Sequence, residues 1–187
     1  MSNVFTLSKP NETLSQDRAW SLLQVFGASL FLALCTQITI PLFFSPVPIS
    51  LQTFAVLMIG GMLGPKKGAA SVLLYLVEGS LGLPFFVQGK AGILTFLGPT
   101  GGYLVGFVVQ AYLVGWFLQQ KSNLTSGKLL AVLLFSCLIQ MSLGVLWLSH
   151  LVGWSRVWIM GFYPFVPGEI LKSVAAAKSL ALLKKYE

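Results

Sequence analysis

Glu169 and Lys172 stand three residues apart in Pro164-Phe165-Val166-Pro167-Gly168-Glu169-Ile170-Leu171-Lys172. The segment around them is otherwise Val, Ala and Leu, running on through Ala175, Ala176, Ala177, Leu180, Leu182 and Leu183. Proline is tolerated in a first helical turn, where its missing N–H has no intrahelical partner, so the pattern predicts a helix over 164–184. Glu169 then meets the positive end of the helix dipole, and the i, i+3 spacing puts both charges on one face. Within a bilayer each would cost at least ~2.5–3.5 kcal/mol at the centre, so an acid–ammonium couple retained there points to a binding face. Gln52 and Thr53, just after a proline-rich stretch, add polar side chains that could bond a ligand amide or cap a helix. No catalytic residues emerge.

The elements that position these groups are membrane helices. Charged residues make up 9% of the 187 and hydrophobic ones 56%, against about 25% charged in a soluble domain. No Asp, Glu, Lys or Arg occurs from Ala19 to Pro65, from Ala91 to Gln120, or from Leu129 to Ser155. Apolar runs of this length are spanning candidates. Pro41, Pro46 and Pro48 break the first run in two. Six helices are predicted, at 19–40, 49–64, 68–83, 98–119, 128–150 and 164–184. Residues 1–18 form a polar tail without the apolar core of a signal peptide, with a helix start around Pro10–Asn11, and 19–187 form one transmembrane domain. The fold class is an all-α integral membrane protein.

With six helices both termini share a side. That side holds Lys9, Arg18, Lys66, Lys67, Lys121, Lys128, Lys184 and Lys185, and the opposite loops hold Lys90 and Arg156. The positive-inside bias makes the termini, Gly64–Gly68 and Lys121–Lys128 cytoplasmic, in a multi-pass protein of the cytoplasmic (inner) membrane. The net charge of +7 is thus accounted for by orientation and contact with lipid headgroups rather than nucleic acid. Two cysteines (Cys35, Cys137) and one histidine (His150) supply no metal site. No GxxxxGK[ST] pattern is present, because Gly127-Lys128 is followed by Leu129, so the chain has no phosphate loop. No cofactor is implied.

The outer loops carry the remaining signals. The stretch with Phe43, Phe44, Pro46 and Pro48 is too apolar for a solvated loop and too proline-rich for a helix; a lid over a cavity is expected. Gln88, Lys90 and Phe86 lie in a second outer loop, and Gly101 and Tyr103 open the fourth helix, where glycines let backbone line a cavity. Glu78 could bind substrate, pair with Lys90 or reach the headgroups. Trp20, Trp147, Trp154 and Trp158, with Arg156 and His150, fit interfacial belts. Ser29 and Ala33 form a small-xxx-small pair that suits internal packing or a partner-docking face. GxxxG spacing recurs at Gly60–Gly64 and Gly102–Gly106.

Five stretches in order then resemble one family: Pro46-Val47-Pro48-Ile49-Ser50-Leu51-Gln52-Thr53, Gly64-Pro65-Lys66-Lys67-Gly68, Gly82-Leu83-Pro84-Phe85-Phe86, Leu97-Gly98-Pro99-Thr100-Gly101-Gly102-Tyr103 and Pro167-Gly168-Glu169-Ile170-Leu171-Lys172. The chain resembles BioY, the biotin-specific S component of energy-coupling factor (ECF) transporters, over roughly residues 19–184. The resemblance implies the six-helix S-component fold, with biotin held near the outer face under the first loop. It implies that Glu169 and Lys172 contact the vitamin; relatives often carry Asp at the first position, one methylene shorter. Gln88 and Lys90 fall where relatives commonly have small residues. Ser29 and Ala33 match the position that docks on the transmembrane coupling subunit, where alanine is usual. Two ATPase subunits complete the implied assembly, since this chain has no nucleotide site. Gln52 and Thr53 would add polar contacts; Phe43, Phe44, Phe85, Phe86 and Tyr103 would add apolar walls. An S component for thiamine or riboflavin, and a membrane enzyme acting on lipid, are the other readings. Self-association as a homo-oligomer is left open.

Overall fold

The computed structural model describes residues 14–120 and 125–185. The tail with Lys9 and the Pro10–Asn11 helix start lies outside the described residues, as does Lys121. The regular structure of the described residues is helical apart from one short hairpin. Its helices are α1 Leu14–Gln37, α2 Gln52–Ser80, α3 Gly101–Gln120, α4 Ser126–Val152, the short α5 Trp154–Val157 and α6 Val166–Lys185. Strands β1 Thr39–Ile40 and β2 Ile49–Ser50 pair antiparallel, Thr39 opposite Ser50, between α1 and α2. Two 3₁₀ turns, Val87–Gly89 and Ile93–Leu97, shape the loop before α3. Among the described residues, three helices are long and apolar enough to cross a membrane: Gln16–Gln37, Gly101–Gln120 and Ser126–Val152.

The loop expected at Gly64–Gly68 is replaced by a one-residue reversal. Gly64 adopts φ 76°, ψ −179°, a conformation reserved almost wholly for glycine. Pro65 follows at the first position of a new helical arm, where its missing N–H leaves no gap. The two arms of α2 fold back on each other: a Cβ on Gly68 would stand 3.1 Å from Gly60 Cα, and Gln52 at one end meets Tyr75 of the other arm. A straight helix would separate positions 60 and 68 by about 12 Å. The predicted helices 49–64 and 68–83 are therefore the arms of one hairpin.

Glycines set how closely the helices approach. A Cβ on Gly60 would stand 2.6 Å from the Ala111 carbonyl of α3, and one on Gly115 would strike the Gly64–Pro65 backbone. The GxxxG spacings at Gly60 and Gly106 thus mark real contact faces, Gly106 facing Gln140 of α4. Ser29 and Ala33 form the small-xxx-small pair of α1. Both are shut inside the chain, at 0% and 5% exposure, where α1 packs chiefly on α2. That burial supports the internal-packing reading of the pair.

Two apolar cores result. One, at the hairpin end, gathers Tyr75, Phe86, Tyr103, Leu148 and Phe165; the other gathers Leu57, Val114, Leu133, Ala176 and Leu180. Gly64→Ala forces a side chain into the left-handed extended region, at about 1–3 kcal/mol. The expected outcome is a lower melting temperature in detergent. Gly127→Ala, with open space around the added carbon, leaves it unchanged or slightly higher.

Candidate substrate-binding site

The site lies where the start of α6 meets the first turn of α2. Lys172 donates to the Glu169 Oε1, to the Ser50 carbonyl at 3.1 Å and to Thr53 Oγ1 at 3.4 Å. Thr53 passes its own proton on to Glu169 Oε1 at 3.1 Å. An ammonium has three N–H donors, and all three are committed within the protein. Lys172 therefore ties Glu169, Thr53 and β2 together at the cavity wall. The other carboxylate oxygen, Glu169 Oε2, is buried with no hydrogen-bond partner. An unmet buried acceptor costs about 1–3 kcal/mol, more when charged. Glu78 Oε2 and Gln110 Oε1 are also buried without a partner, but Glu169 belongs to the cavity lining and they do not.

Glu169, Lys172, Ser50 and Thr53 line a cavity closed down to about 50 Å³, walled by residues of the lid, the start of α2, the outer loop, α3, α4 and the start of α6. Small-molecule sites generally span ~300–1,000 Å³, so a ligand of vitamin size enters only when walls draw back. Of the residues expected from sequence, Glu169, Lys172, Gln52, Thr53, Lys90, Tyr103 and Phe86 converge here. Gln88 does not: it occupies the outward turn of the 3₁₀ segment at φ 61°, so Val87 faces the cavity instead. Nor does Gly101, whose Cα is tucked beneath the Phe96 carbonyl and the Trp147 ring. Glu78 is also absent from the lining. Arg156 is exposed elsewhere, leaving Lys90 as the cavity cation without an internal ion pair among the described residues.

The lid is real in backbone but differs in side chains. Val47, Pro48 and Ser50 line the cavity, whereas Phe43 is fully exposed and stacks edge-on with Phe44 at the hairpin tip. Pro46 is exposed as well. The tip turns outward because the short strand pair closes the hairpin at its base, leaving only the returning limb above the cavity. Two bonds hold that limb: Lys172 to the Ser50 carbonyl, and Ser45 Oγ to the Met160 carbonyl at 2.6 Å. Met160 lies in a wide π turn, Trp158–Phe162, whose Gly161 carbonyl also accepts the Tyr103 hydroxyl at 2.7 Å. One irregular turn thereby fixes a lid and a wall.

Sequence reasoning missed several participants. Tyr75 Oη accepts from Gln52 Nε2 at 3.0 Å and donates to the Phe85 carbonyl at 3.3 Å, which orients the Gln52 amide. Gln140, buried on α4, lines the cavity floor; an amide inside an apolar span was the available signal. Cys137 does more than pack: it takes a hydrogen bond from Gln110 at 3.1 Å and lies 3.4 Å from Ser173 Oγ. Trp147 is partly interfacial, yet its Nε1 ties down the Gly98 carbonyl at 2.9 Å and so fixes the start of α3.

Comparison with known proteins gives the same picture. The BioY family model matches residues 8–186. The chain is 38% identical over 172 residues to the biotin transporter BioY of Thermotoga maritima, covering 88% of this chain and 97% of that one. It is 36% identical over 156 residues to the probable biotin transporter BioY of Pyrococcus horikoshii, covering 82% and 91%. A crystal structure of the S-component for biotin from an ECF-type ABC transporter matches with a TM-score of 0.83 at 31% identity, over 94% of this chain and 95% of that one. Its fold is that of a substrate-binding transporter subunit, not of an enzyme. Transporter relatives and the apolar helices make this a multi-pass membrane protein. With a family model spanning nearly all of its length and relatives matched end to end, the chain belongs to the BioY family.

Proposed function

We propose that this protein is the biotin-binding S component of an ECF-type transporter in the cytoplasmic membrane. It captures the vitamin at the hairpin end and passes it inward when a coupling subunit and two ATPase subunits supply the driving force. Six crossings, counting the two arms of α2 separately, put both termini in the cytoplasm, in keeping with the positive-inside bias. The observation that carries the substrate reading is the buried, partnerless Glu169 Oε2 on the wall of the cavity. Biotin offers a ureido ring with two N–H donors and a carbonyl, an apolar fused ring, and a carboxylate tail. A ureido N–H donates to Glu169 Oε2, and the other ureido edge meets the amides of Gln52 and Gln140. The ring lies among Phe86, Tyr103 and Phe165. The tail carboxylate meets Lys90, the cavity cation whose donors are not already committed to an ion pair.

Removing either member of the couple strands the other in a buried place, which costs about 3–5 kcal/mol when a buried pair is broken. Glu169→Ala and Lys172→Ala are each expected to weaken biotin binding at least tenfold, about 1.4 kcal/mol, by calorimetry on monodisperse protein. Unchanged affinity in both variants would refute the site, and displacement of labelled biotin by thiamine or riboflavin would refute the substrate.

Lys90 is read as the partner of the tail. Lys90→Ala should cost roughly tenfold for free biotin while leaving biotin methyl ester, which lacks the charge, nearly unaffected. Equal losses for acid and ester would place the tail elsewhere.

A further inference from the structure

Gln37, the last residue of α1, is outside the cavity lining, yet its amide meets several backbone groups of the cavity wall. Its Nε2 lies 3.2 Å from the Pro84 carbonyl, 3.2 Å from that of Phe85 and 3.3 Å from that of Phe86. Its Oε1 accepts from the Gly89 N–H at 3.2 Å. Nε2 also reaches back to the Ala33 carbonyl of its own helix at 3.4 Å. Three successive carbonyls turned toward one point is not a helix or strand pattern. The Phe85 carbonyl also accepts from Tyr75 Oη at 3.3 Å on the inner side, and Gln37 is the side chain within reach of all three on the outer side. One amide, with two N–H groups and one acceptor, closes both sides of the turn.

That turn carries a cavity wall. Phe86, Val87 and Lys90 line the cavity from this loop. From inside, the loop is held by the Phe86 ring, which sits edge-on to Tyr75 and Phe96 and occupies the space a Cβ on Gly79 would need. The loop's backbone ties include Phe86 N–H to the Lys90 carbonyl, Lys90 N–H to the Val87 carbonyl and Gly92 N–H to the Gly79 carbonyl. From outside, Gln37 is the side chain that spans the whole turn.

We propose that Gln37 is a positioning residue of the substrate site, a peg that holds the Phe86–Lys90 wall closed from a helix that itself makes no contact with substrate. This rests on the reading of the cavity as the biotin site. Since the closed cavity is smaller than a vitamin, the wall moves for entry and exit, and the bonds at Gln37 set how readily it does so. An ammonium suits three converging carbonyls, so Gln37→Lys retains the donors. Gln37→Glu sets a carboxylate against those carbonyls, and Gln37→Ala removes the peg.

The test is the dissociation rate of labelled biotin from the purified variants, together with amide exchange at Phe86 and Gly89 in ligand-free protein. Gln37→Ala and Gln37→Glu are expected to release biotin about tenfold faster and to lose protection at both amides, with Gln37→Lys within roughly threefold of the parent rate. A role in packing alone predicts that Lys is as poor as Ala, and that result overturns the proposal. So does unaltered exchange in Gln37→Ala. If the parent chain binds no biotin, the substrate reading fails, while the exchange measurement still decides the role of Gln37.

Discussion

The ion pair between Glu169 and Lys172 is the interaction on which the site depends. A buried pair of this kind gains little net stability, because desolvation offsets most of the attraction. Its value lies in what the fixed charges then hold. Lys172 commits its three donors to α6, to the first turn of α2 and to the lid strand β2. One ammonium thus joins α6 to the distant β2–α2 junction, and with its donors engaged there it leaves the free carboxylate oxygen as a polar group facing the cavity. The acid is oriented by its partner and by Thr53, so the rotamer entropy of the site is lost before a ligand arrives.

The rest of the architecture protects that arrangement. The reversal at Gly64 packs the α2 arms tightly enough for Gln52 and Tyr75 to meet, which brings a second polar group to the cavity at a set angle. The glycines of α3 let it lie against α2 and α4, and its first turn delivers Tyr103 to the wall beside Thr100, which precedes it. Several polar side chains in this apolar interior meet a partner from another element: Gln52 meets Tyr75, Thr53 meets Glu169, and Tyr103 meets the Gly161 carbonyl. That is the condition under which polar groups survive burial.

Much of this could be read from residue types. An acid–lysine couple in a greasy helix, two polar residues after a proline run, and charge-free stretches of spanning length point to the α6–α2 site and to membrane helices. The boundaries of α3, α4 and α6 fall within three residues of the reading from hydropathy. What sequence could not convey depends on distances between remote residues. That Lys172 is saturated follows only from where Ser50 and Thr53 come to rest. Phe43 and Phe44 looked like cavity walls because they are aromatic in a loop, but a two-residue strand pair turns the hairpin tip outward. Ser29 and Ala33 have spacing that suits any close helix contact, and spacing does not say whether the contact is internal. Gln37 gave no signal, since an amide at a helix end ordinarily faces water.

The π turn at Trp158–Phe162 has one residue more per turn than its flanking helices would, and Tyr163 N–H accordingly reaches back five positions to Trp158. Such a bulge behaves like a single inserted residue that the chain has kept. Deleting one residue there would regularise the coil, yet it would rotate everything before it by about 100° relative to α6. The Met160 and Gly161 oxygens would swing away from the Ser45 and Tyr103 hydroxyls, leaving one stranded at the lid and the other in the core. A shorter, smoother helix would therefore be the less functional one.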